Sequence, residues 1–199
     1  VFSFHPVKII TTAEGGCALT NDEEIYEKLK LFSSHGVTRD PKKMTKKTKD
    51  KWLYDQICIG LNYRMSDLNA ALGLSQLFKV DRFLFKRHSI AKRYFEQLEN
   101  LDLKLPKQED YSFSALHLFP IQIKNRRKIF NLLHKNDIKV NVHYRPIHTQ
   151  PFWEKKGFKN GLFPNAETYY SKAISLPIFY ELNEEMQNKV MSVLKNSCF

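Results

Sequence analysis

The chain has 199 residues, of which 42% are hydrophobic, and a formal net charge of +11. This length is enough for one core or two small ones, and no apolar run approaches the roughly 20 residues of a membrane span. The three cysteines, Cys17, Cys58 and Cys198, lack the spacing of a metal site or a disulfide framework. We therefore expect a cytoplasmic protein without a membrane segment or a bound metal.

The basic excess is concentrated in one stretch, residues 39–51. Such charge runs are typical of solvated loops, and we expect a loop here. An electrostatic role toward a phosphorylated small molecule is the alternative. The chain shows no helix-turn-helix, RNA-recognition or zinc-finger pattern, so we expect no specific nucleic-acid binding.

The first predicted elements are two short strands. Residues 1–10 are rich in aromatic and β-branched side chains, which predicts a strand and its exit. A turn at 13–16 separates it from a second strand at 17–19. Because the chain opens inside an apolar run and without Met, we expect that an upstream part precedes it. The opening residues also lack the basic region and cleavage site of a signal peptide.

Three helices are predicted next. Thr20 and Glu23 have the spacing of a capping box, which predicts a helix from there to about Gly36. Ser66 is a predicted N-cap, and the helix after it, 68–77, is apolar on nearly every face. A helix of that kind is usually buried between layers or subunits. A long amphipathic helix is predicted from Val80 to about residue 100.

The second half of the chain predicts a small α/β sandwich after a linker at 105–110. Strands and helices alternate through this part. The predicted elements are a strand at 116–123 with a slip near Pro120, a helix capped by Asn125, a strand at 138–144, a helix at 169–174, an extended piece at 176–178 and a last helix capped by Asn183.

Lys8 is the sharpest chemical feature, because it stands among the apolar residues Val7, Ile9 and Ile10. Desolvation disfavours the ammonium form, and a neutral amine is the nucleophile that attacks a carbonyl. An edge-strand lysine that reaches solvent is the alternative.

The complete motif around Lys8 is Phe4-His5-Pro6-Val7-Lys8, followed by Thr11-Thr12-Ala13-Glu14-Gly15-Gly16. It resembles the cofactor-lysine segment of the DegT/DnrJ/EryC1/StrS sugar aminotransferases. The resemblance implies pyridoxal 5'-phosphate (PLP) as cofactor, Lys8 as the catalytic residue that holds it, and His5 as a substrate-binding residue. A related branch of dehydratases has His in place of the lysine, so Lys8 favours transamination. The His-Pro-Val-Lys form is most similar to the branch that makes the 4-amino precursor of pseudaminic acid.

Two further segments are similar to the family. Residues 60–67, followed by 70–73, resemble its dimer-interface segment; this implies that Asn62 reaches the PLP phosphate of a partner subunit and that Arg64 is a substrate-binding residue. A turn before a buried helix is the alternative for this segment. Residues 142–148 resemble a segment beside the substrate pocket, which implies substrate-binding roles for His143, Tyr144 and His148. Histidines that satisfy local hydrogen bonds are the alternative there.

The resemblance is collinear over nearly the whole chain. It implies an α/β fold, the type I (aspartate aminotransferase-like) PLP-dependent transferase fold in its C-terminal half only. Residues 1–104 would belong to the large PLP-binding domain and the dimer interface, and 105–199 would form the small C-terminal domain. The implied protein is a homodimer.

The implied reaction transfers an amino group, from glutamate, to a UDP-linked 4-keto-6-deoxy sugar for surface-glycan or flagellin-sugar biosynthesis. A different keto-sugar nucleotide and an inactive, non-catalytic basic binding module are the alternatives. In the family, the carboxylate that pairs with the PLP ring nitrogen lies upstream of the lysine. We therefore expect these 199 residues alone to be inactive.

Overall fold

The computed structural model describes residues 1–45 and 50–197. Residues 46–49 of the predicted basic loop, and Cys198, lie outside the described residues. The helices are α1 (Glu23–Ser33), α2 (Asp67–Leu77), α3 (Val80–Leu98), α4 (Arg126–Lys135), α5 (Pro151–Glu154), α6 (Pro164–Lys172) and α7 (Glu184–Lys195). The strands are β1 (Phe2–Ser3), β2 (Gly16–Cys17), β3 (Val37–Thr38), β4 (Asp55–Gln56), β5 (Leu103–Lys104), β6 (Phe119–Ile123) and β7 (Ala173–Leu176). None of the described helices is long and apolar enough to cross a bilayer.

Unit 1, residues Val1–Lys79, contains two short antiparallel ribbons, β1–β2 and β3–β4, together with α1 and α2. The predicted capping box at Thr20 is wrong. The N-cap of α1 is Asp22, whose carboxylate accepts the Ile25 amide at 3.0 Å, while the Thr20 hydroxyl accepts the Asp22 amide at 3.0 Å. Both side chains thus act at the helix entrance, and the acidic one occupies the position that the helix dipole favours.

Apolar side chains of unit 1 are largely uncovered. In its described part no hydrophobic side chain is fully buried, and α2 contains no buried residue. Leu68 is 86% exposed and Leu74 56% exposed. The helix predicted at 68–77 is therefore present, but no part of the chain that the structure describes buries it. A continuous apolar surface of this kind requires cover by another protein surface.

Unit 2, residues Val80–Phe199, is built on an antiparallel sheet of strand order β5-β6-β7. The predicted slip at Pro120 is absent, since β6 runs through Pro120 with Ser175 opposite it. β5 pairs with Gln122 and Ile123, so among residues 1–45 and 50–197 no strand lies on that side of β6 at Pro120, which is where a strand tolerates proline. The fully buried side chains at the centre of the core are Tyr94, Leu98, Phe119, Ile121, Leu133, Ile174 and Leu194.

The strand predicted at 138–144 is reduced to a single bridge between Asn141 and Ser175. Its alternation is nevertheless visible in burial, because Ile138 and Val140 are buried while the residues between and after them are exposed. The Asn141 side-chain oxygen accepts a hydrogen bond from the Val142 amide at 2.8 Å. That amide is therefore not available for a hydrogen bond to a neighbouring strand.

The compact units divide at Lys79, earlier than the expected domain boundary at residue 104. α3 belongs to unit 2 because its residues Tyr94 and Leu98 are buried in that core, and because the Tyr94 hydroxyl donates to the carbonyl of Pro177 at 3.0 Å. The assignment of residues 1–104 to a cofactor domain stays a prediction.

Candidate functional site

Lys8 lies on a closed loop between β1 and β2, and not on the long strand predicted for residues 1–10. Two backbone hydrogen bonds close the loop: the Phe4 amide donates to the Gly15 carbonyl at 2.9 Å, and the Thr12 amide donates to the Phe4 carbonyl at 3.0 Å. The Lys8 amide donates to the His5 carbonyl at 2.9 Å and forms a turn. The loop therefore presents a half-buried Lys8 beside an exposed His5.

The first turns of α2 hold the second half of the Lys8 loop. The Asn69 side-chain amide donates to the carbonyls of Thr12, at 2.5 Å, and Glu14, at 3.1 Å. Thr12 is 2% exposed. A Cβ added at Gly73 would lie 2.6 Å from the methyl carbon Cγ2 of Thr12, so the helix approaches the loop closely at this glycine. The turn after Lys8 is thus fixed by α2.

Asn62 lies on a segment that pairs with the exit of α1, through an antiparallel bridge between Asn62 and Ser34. Two glycines allow the backbones to meet: a Cβ at Gly60 would lie 2.2 Å from the Gly36 nitrogen, and Gly36 itself has a φ of +69°. The Asn62 side chain is exposed and makes no hydrogen bond to any residue in ranges 1–45 and 50–197. Its carboxamide is therefore available to another molecule.

Arg64 lies between two cavities of unit 1. The first, of about 750 Å³, is also lined by Asn69 and by Glu14, Gly15 and Gly16 from the Lys8 loop. The second, also of about 750 Å³, contains Arg39 and other residues of the β3–β4 ribbon. Within the described part of the chain the Arg64 guanidinium has neither a hydrogen bond nor an ion pair. The structure thus places Arg64 beside the loop of Lys8.

His143 and Tyr144 lie together in unit 2. His143 Nδ1 is 2.8 Å from the hydroxyl of Ser175, which is buried in β7. The Tyr144 ring stands edge-on to the His143 ring, with 4.6 Å between centroids, and is 68% exposed. The sheet therefore orients the imidazole and leaves the phenol open to solvent.

His148 is buried in a short 3-10 turn, Ile147–Thr149. Its Nε2 is 2.8 Å from a carboxylate oxygen of Glu167, which also accepts the Gly161 amide at 2.8 Å. The hydrogen bond with His148 lowers the pKa of the Glu167 carboxyl, and the Gly161 amide lowers that pKa further. His148 thus holds the loop before α6, and its role toward a substrate stays a prediction.

The sequence analysis did not predict that Asn69, Thr12 and Arg39 lie at or beside the candidate site. Asn69 and Thr12 are found only through contacts that join residues far apart in the chain. The available signal for Asn69 was a single amide side chain in the first turn of an otherwise apolar helix. Arg39 was counted only as part of a basic stretch.

Solved structures identify the fold class. The chain superposes on Helicobacter pylori PseC, an aminotransferase involved in pseudoaminic acid biosynthesis, with a TM-score of 0.87 and 34% identity over 99% of this chain and 52% of that one. A Streptococcus pneumoniae protein described as a sugar aminotransferase, in its PMP form, gives a TM-score of 0.87 and 30% identity over 98% and 51%. The predicted type I aminotransferase fold is confirmed, and the chain spans half of it, as expected for the C-terminal half.

The family follows from the sequence comparison. A model of the DegT/DnrJ/EryC1/StrS aminotransferase family matches residues 1–195, and the chain belongs to this family. The Campylobacter jejuni UDP-4-amino-4,6-dideoxy-N-acetyl-beta-L-altrosamine transaminase is 38% identical over 92% of this chain and 48% of its own length. The chain spans about half the length of the curated relatives it matches.

Proposed function

We propose that the protein is a PLP-dependent aminotransferase that transfers an amino group from glutamate to a UDP-linked 4-keto-6-deoxy sugar. The observation that carries the proposal is the placement of Lys8, on a loop pinned at Phe4 and held by Asn69. The names of the Campylobacter and Helicobacter relatives support the substrate class.

The donors of unit 1 fit a phosphorylated aldehyde such as PLP. The Lys8 loop offers a primary amine at a position that backbone bonds define, and Asn62 offers a carboxamide with no partner in the described ranges. An amine can bind the aldehyde, and amide donors suit phosphate oxygens. We assign the amine to the cofactor of the same subunit and the carboxamide to the phosphate in the partner subunit. When bound, PLP supplies the electron sink that amino transfer requires.

Lys8 has two tasks in this proposal. Its Nζ would hold the cofactor between turnovers and would serve as the group that accepts and returns a proton during amino transfer. The backbone bonds of the loop fix the position of the Lys8 backbone, so only its side chain would move during this task. His5 lies on the same loop, and we assign it to substrate binding.

His143 and Tyr144 are proposed to contact the sugar or the donor carboxylate. The bond between His143 and Ser175 fixes the imidazole, and the exposed Tyr144 hydroxyl is free to act as donor or acceptor. We therefore assign to both residues the orientation of the ligand.

The exposed leucines of α2 in unit 1 support the proposal that the protein is a homodimer. α2 exposes Leu68, Leu74 and Leu77 by 86%, 56% and 53%. Burial of such leucines stabilises an interface by about 25 cal/mol per Å² of apolar surface removed from water. A partner copy on this side would cover α2 close to Asn62. The same exposed surface leads us to expect that residues 1–199 alone associate non-specifically and show no transamination.

The test uses the protein in its full encoded length, with any sequence that precedes Val1. Lys8→Arg should abolish amino transfer from glutamate to the 4-keto sugar nucleotide, because a guanidinium does not lose its proton at neutral pH. Lys42→Arg is the matched control, because Lys42 is an exposed lysine of the basic stretch, and it should leave the rate unchanged. Full activity of Lys8→Arg would refute the proposal, and a different preferred keto sugar would refute only the substrate.

A further inference from the structure

The His148 side chain is buried and held in one orientation. It is 5% exposed and lies in the 3-10 turn Ile147–Thr149. A backbone hydrogen bond closes this turn, because the Thr149 amide donates to the Pro146 carbonyl at 3.0 Å. The Phe163 ring stands against the imidazole, with 4.8 Å between the ring centroids. The imidazole therefore has little room to rotate.

The Glu167 carboxylate accepts hydrogen bonds from three residues. Its Oε1 lies 2.8 Å from His148 Nε2 and 2.8 Å from the Gly161 amide nitrogen. The Phe163 amide donates to the same oxygen at 3.4 Å, and the Gly161 amide also reaches Oε2 at 2.9 Å. The bonds with His148, Gly161 and Phe163 lower the pKa of the Glu167 carboxyl more than burial raises it. The carboxylate is therefore ionised, and backbone amides fix its position.

The ionised Glu167 decides which nitrogen of the His148 ring carries the proton. An ionised carboxylate accepts hydrogen bonds and has no proton to donate, so the contact requires a proton on Nε2. In a neutral imidazole the other nitrogen, Nδ1, then carries a lone pair and acts as an acceptor. Within residues 1–45 and 50–197 no hydrogen bond occupies Nδ1, and this nitrogen is not enclosed away from solvent. The lone pair is thus available to a ligand.

We propose that Glu167 is a positioning residue that keeps the proton of the neutral His148 ring on Nε2, so that Nδ1 accepts a hydrogen bond from a hydroxyl group of the sugar substrate. A lone pair repels the oxygens of a carboxylate or a phosphate. His148 therefore contacts the sugar and not the carboxylate of the amino donor. The identity of this ligand rests on the proposed function. Glu167 itself touches neither substrate nor cofactor in this role and acts through His148.

The first test reads the protonation of His148 directly, by NMR of the full-length protein with isotope-labelled histidine nitrogens. His148→Ala assigns the signals by their loss. At weakly alkaline pH the wild-type ring should carry its proton on Nε2. In Glu167→Gln the single side-chain oxygen is occupied by the Gly161 and Phe163 amides, so the side-chain amide group faces Nε2 and the proton moves to Nδ1. Glu181→Gln, at an exposed carboxylate, is the control and should leave the ring unchanged.

The second test measures kcat/KM separately for the keto sugar and for glutamate, since each value reports one half-reaction of a ping-pong enzyme. Glu167→Gln should lower the value for the sugar about tenfold, because a protonated Nδ1 no longer accepts from the hydroxyl group. The value for glutamate should equal that of wild type. Glu167→Asp keeps a carboxylate, and its value for the sugar should follow the fraction of rings that retain the proton on Nε2. Melting temperatures establish that each variant is folded.

Three results would overturn the role of Glu167. The first is a folded Glu167→Gln protein with the proton still on Nε2 or with an unchanged kcat/KM for the sugar. The second is a doubly protonated His148 ring in the resting wild-type protein. The third is an equal loss for sugar and glutamate. If Glu167→Gln does not fold, His148→Ala makes the same kinetic comparison and should lower only the value for the sugar.

Calorimetric titration with the UDP-linked 4-keto sugar separates this inference from the proposed function. If amino transfer is absent while Glu167→Gln still weakens binding of the sugar nucleotide, the proposed reaction fails and the role of Glu167 stands. If wild type transfers amino groups while Glu167→Gln binds the sugar nucleotide as tightly as wild type, the reaction stands and the role of Glu167 fails. A wild-type protein that binds no sugar nucleotide would refute both.

Discussion

The close approach of α2 to the Lys8 loop can be tested by a double-mutant cycle at Gly73 and Thr12. Alanine at position 73 would place its Cβ 2.6 Å from Thr12 Cγ2, well inside van der Waals contact. Thr12 is buried, and its hydroxyl donates to the Glu14 carbonyl at 2.9 Å, so its rotamer is fixed. The methyl group therefore cannot turn away without loss of that bond.

Two opposing effects determine how much Gly73→Ala changes the free energy of unfolding. Gly73→Ala raises helix propensity by about 1 kcal/mol, while overpacking against Thr12 costs about 1–3 kcal/mol. The single variant should therefore lower the free energy of unfolding by about 0–2 kcal/mol. Thr12→Ser keeps the hydroxyl and removes the methyl group. In this background, Gly73→Ala should raise the free energy of unfolding by up to about 1 kcal/mol. The expected coupling is about 1–3 kcal/mol.

The assay is denaturant unfolding of the full-length protein, with cofactor retention read from its absorbance. Gly73→Ala should also reduce retention, and Thr12→Ser should restore it. The control cycle pairs Thr12→Ser with Ser75→Ala, an exposed position of α2, and should show no coupling. A coupling of zero between Gly73 and Thr12 would show that α2 does not pack against the loop at this glycine.

Three further outcomes are expected. Arg87→Met should lower the free energy of unfolding by about 2–4 kcal/mol, measured in urea, because it leaves three carbonyl acceptors of one buried guanidinium without their donor. The hydrogen bond with His148 lowers the pKa of the Glu167 carboxyl in the folded protein. This bond therefore stabilises the fold above the ordinary pKa of 4.5, and the stabilisation is lost as the pH falls through the lower folded pKa. The difference in melting temperature between wild type and Glu167→Gln should accordingly shrink below pH 4.5. Asn62→Ala should reduce PLP retention at unchanged melting temperature, and mixed dimers with Lys8→Ala should regain activity if Asn62 serves the partner subunit.

Helices α2, α3 and α7 were predictable because they rest on local signals, whereas the helix predicted at 169–174 is α6 (Pro164–Lys172), and Ala173 and Ile174 belong to β7. Ser66 accepts the Asn69 amide as the predicted N-cap of α2, and Asn183 accepts the Met186 amide as the predicted N-cap of α7. The apolar periodicity of α3 likewise matched its buried face. These features depend on residues three or four apart, which a single sequence displays directly.

Strands and the site were less predictable because they depend on distant partners. The expected strand through Ile10 ends at Ser3, since the Phe4 carbonyl is taken by Thr11 and Thr12. The cavity of Arg39 requires the register of two strands separated by the basic stretch, which no local pattern specifies. Lys8 could be proposed from the sequence because its whole motif is contiguous.

The central claim is that Lys8 holds the cofactor, and borohydride reduction tests it most directly. The full-length protein, purified with PLP, should be reduced, digested and mapped by mass spectrometry. The account predicts a phosphopyridoxyl label on the peptide that contains Lys8 and no label in Lys8→Arg. A label on another lysine, or an unlabelled protein that still transfers amino groups, would contradict it.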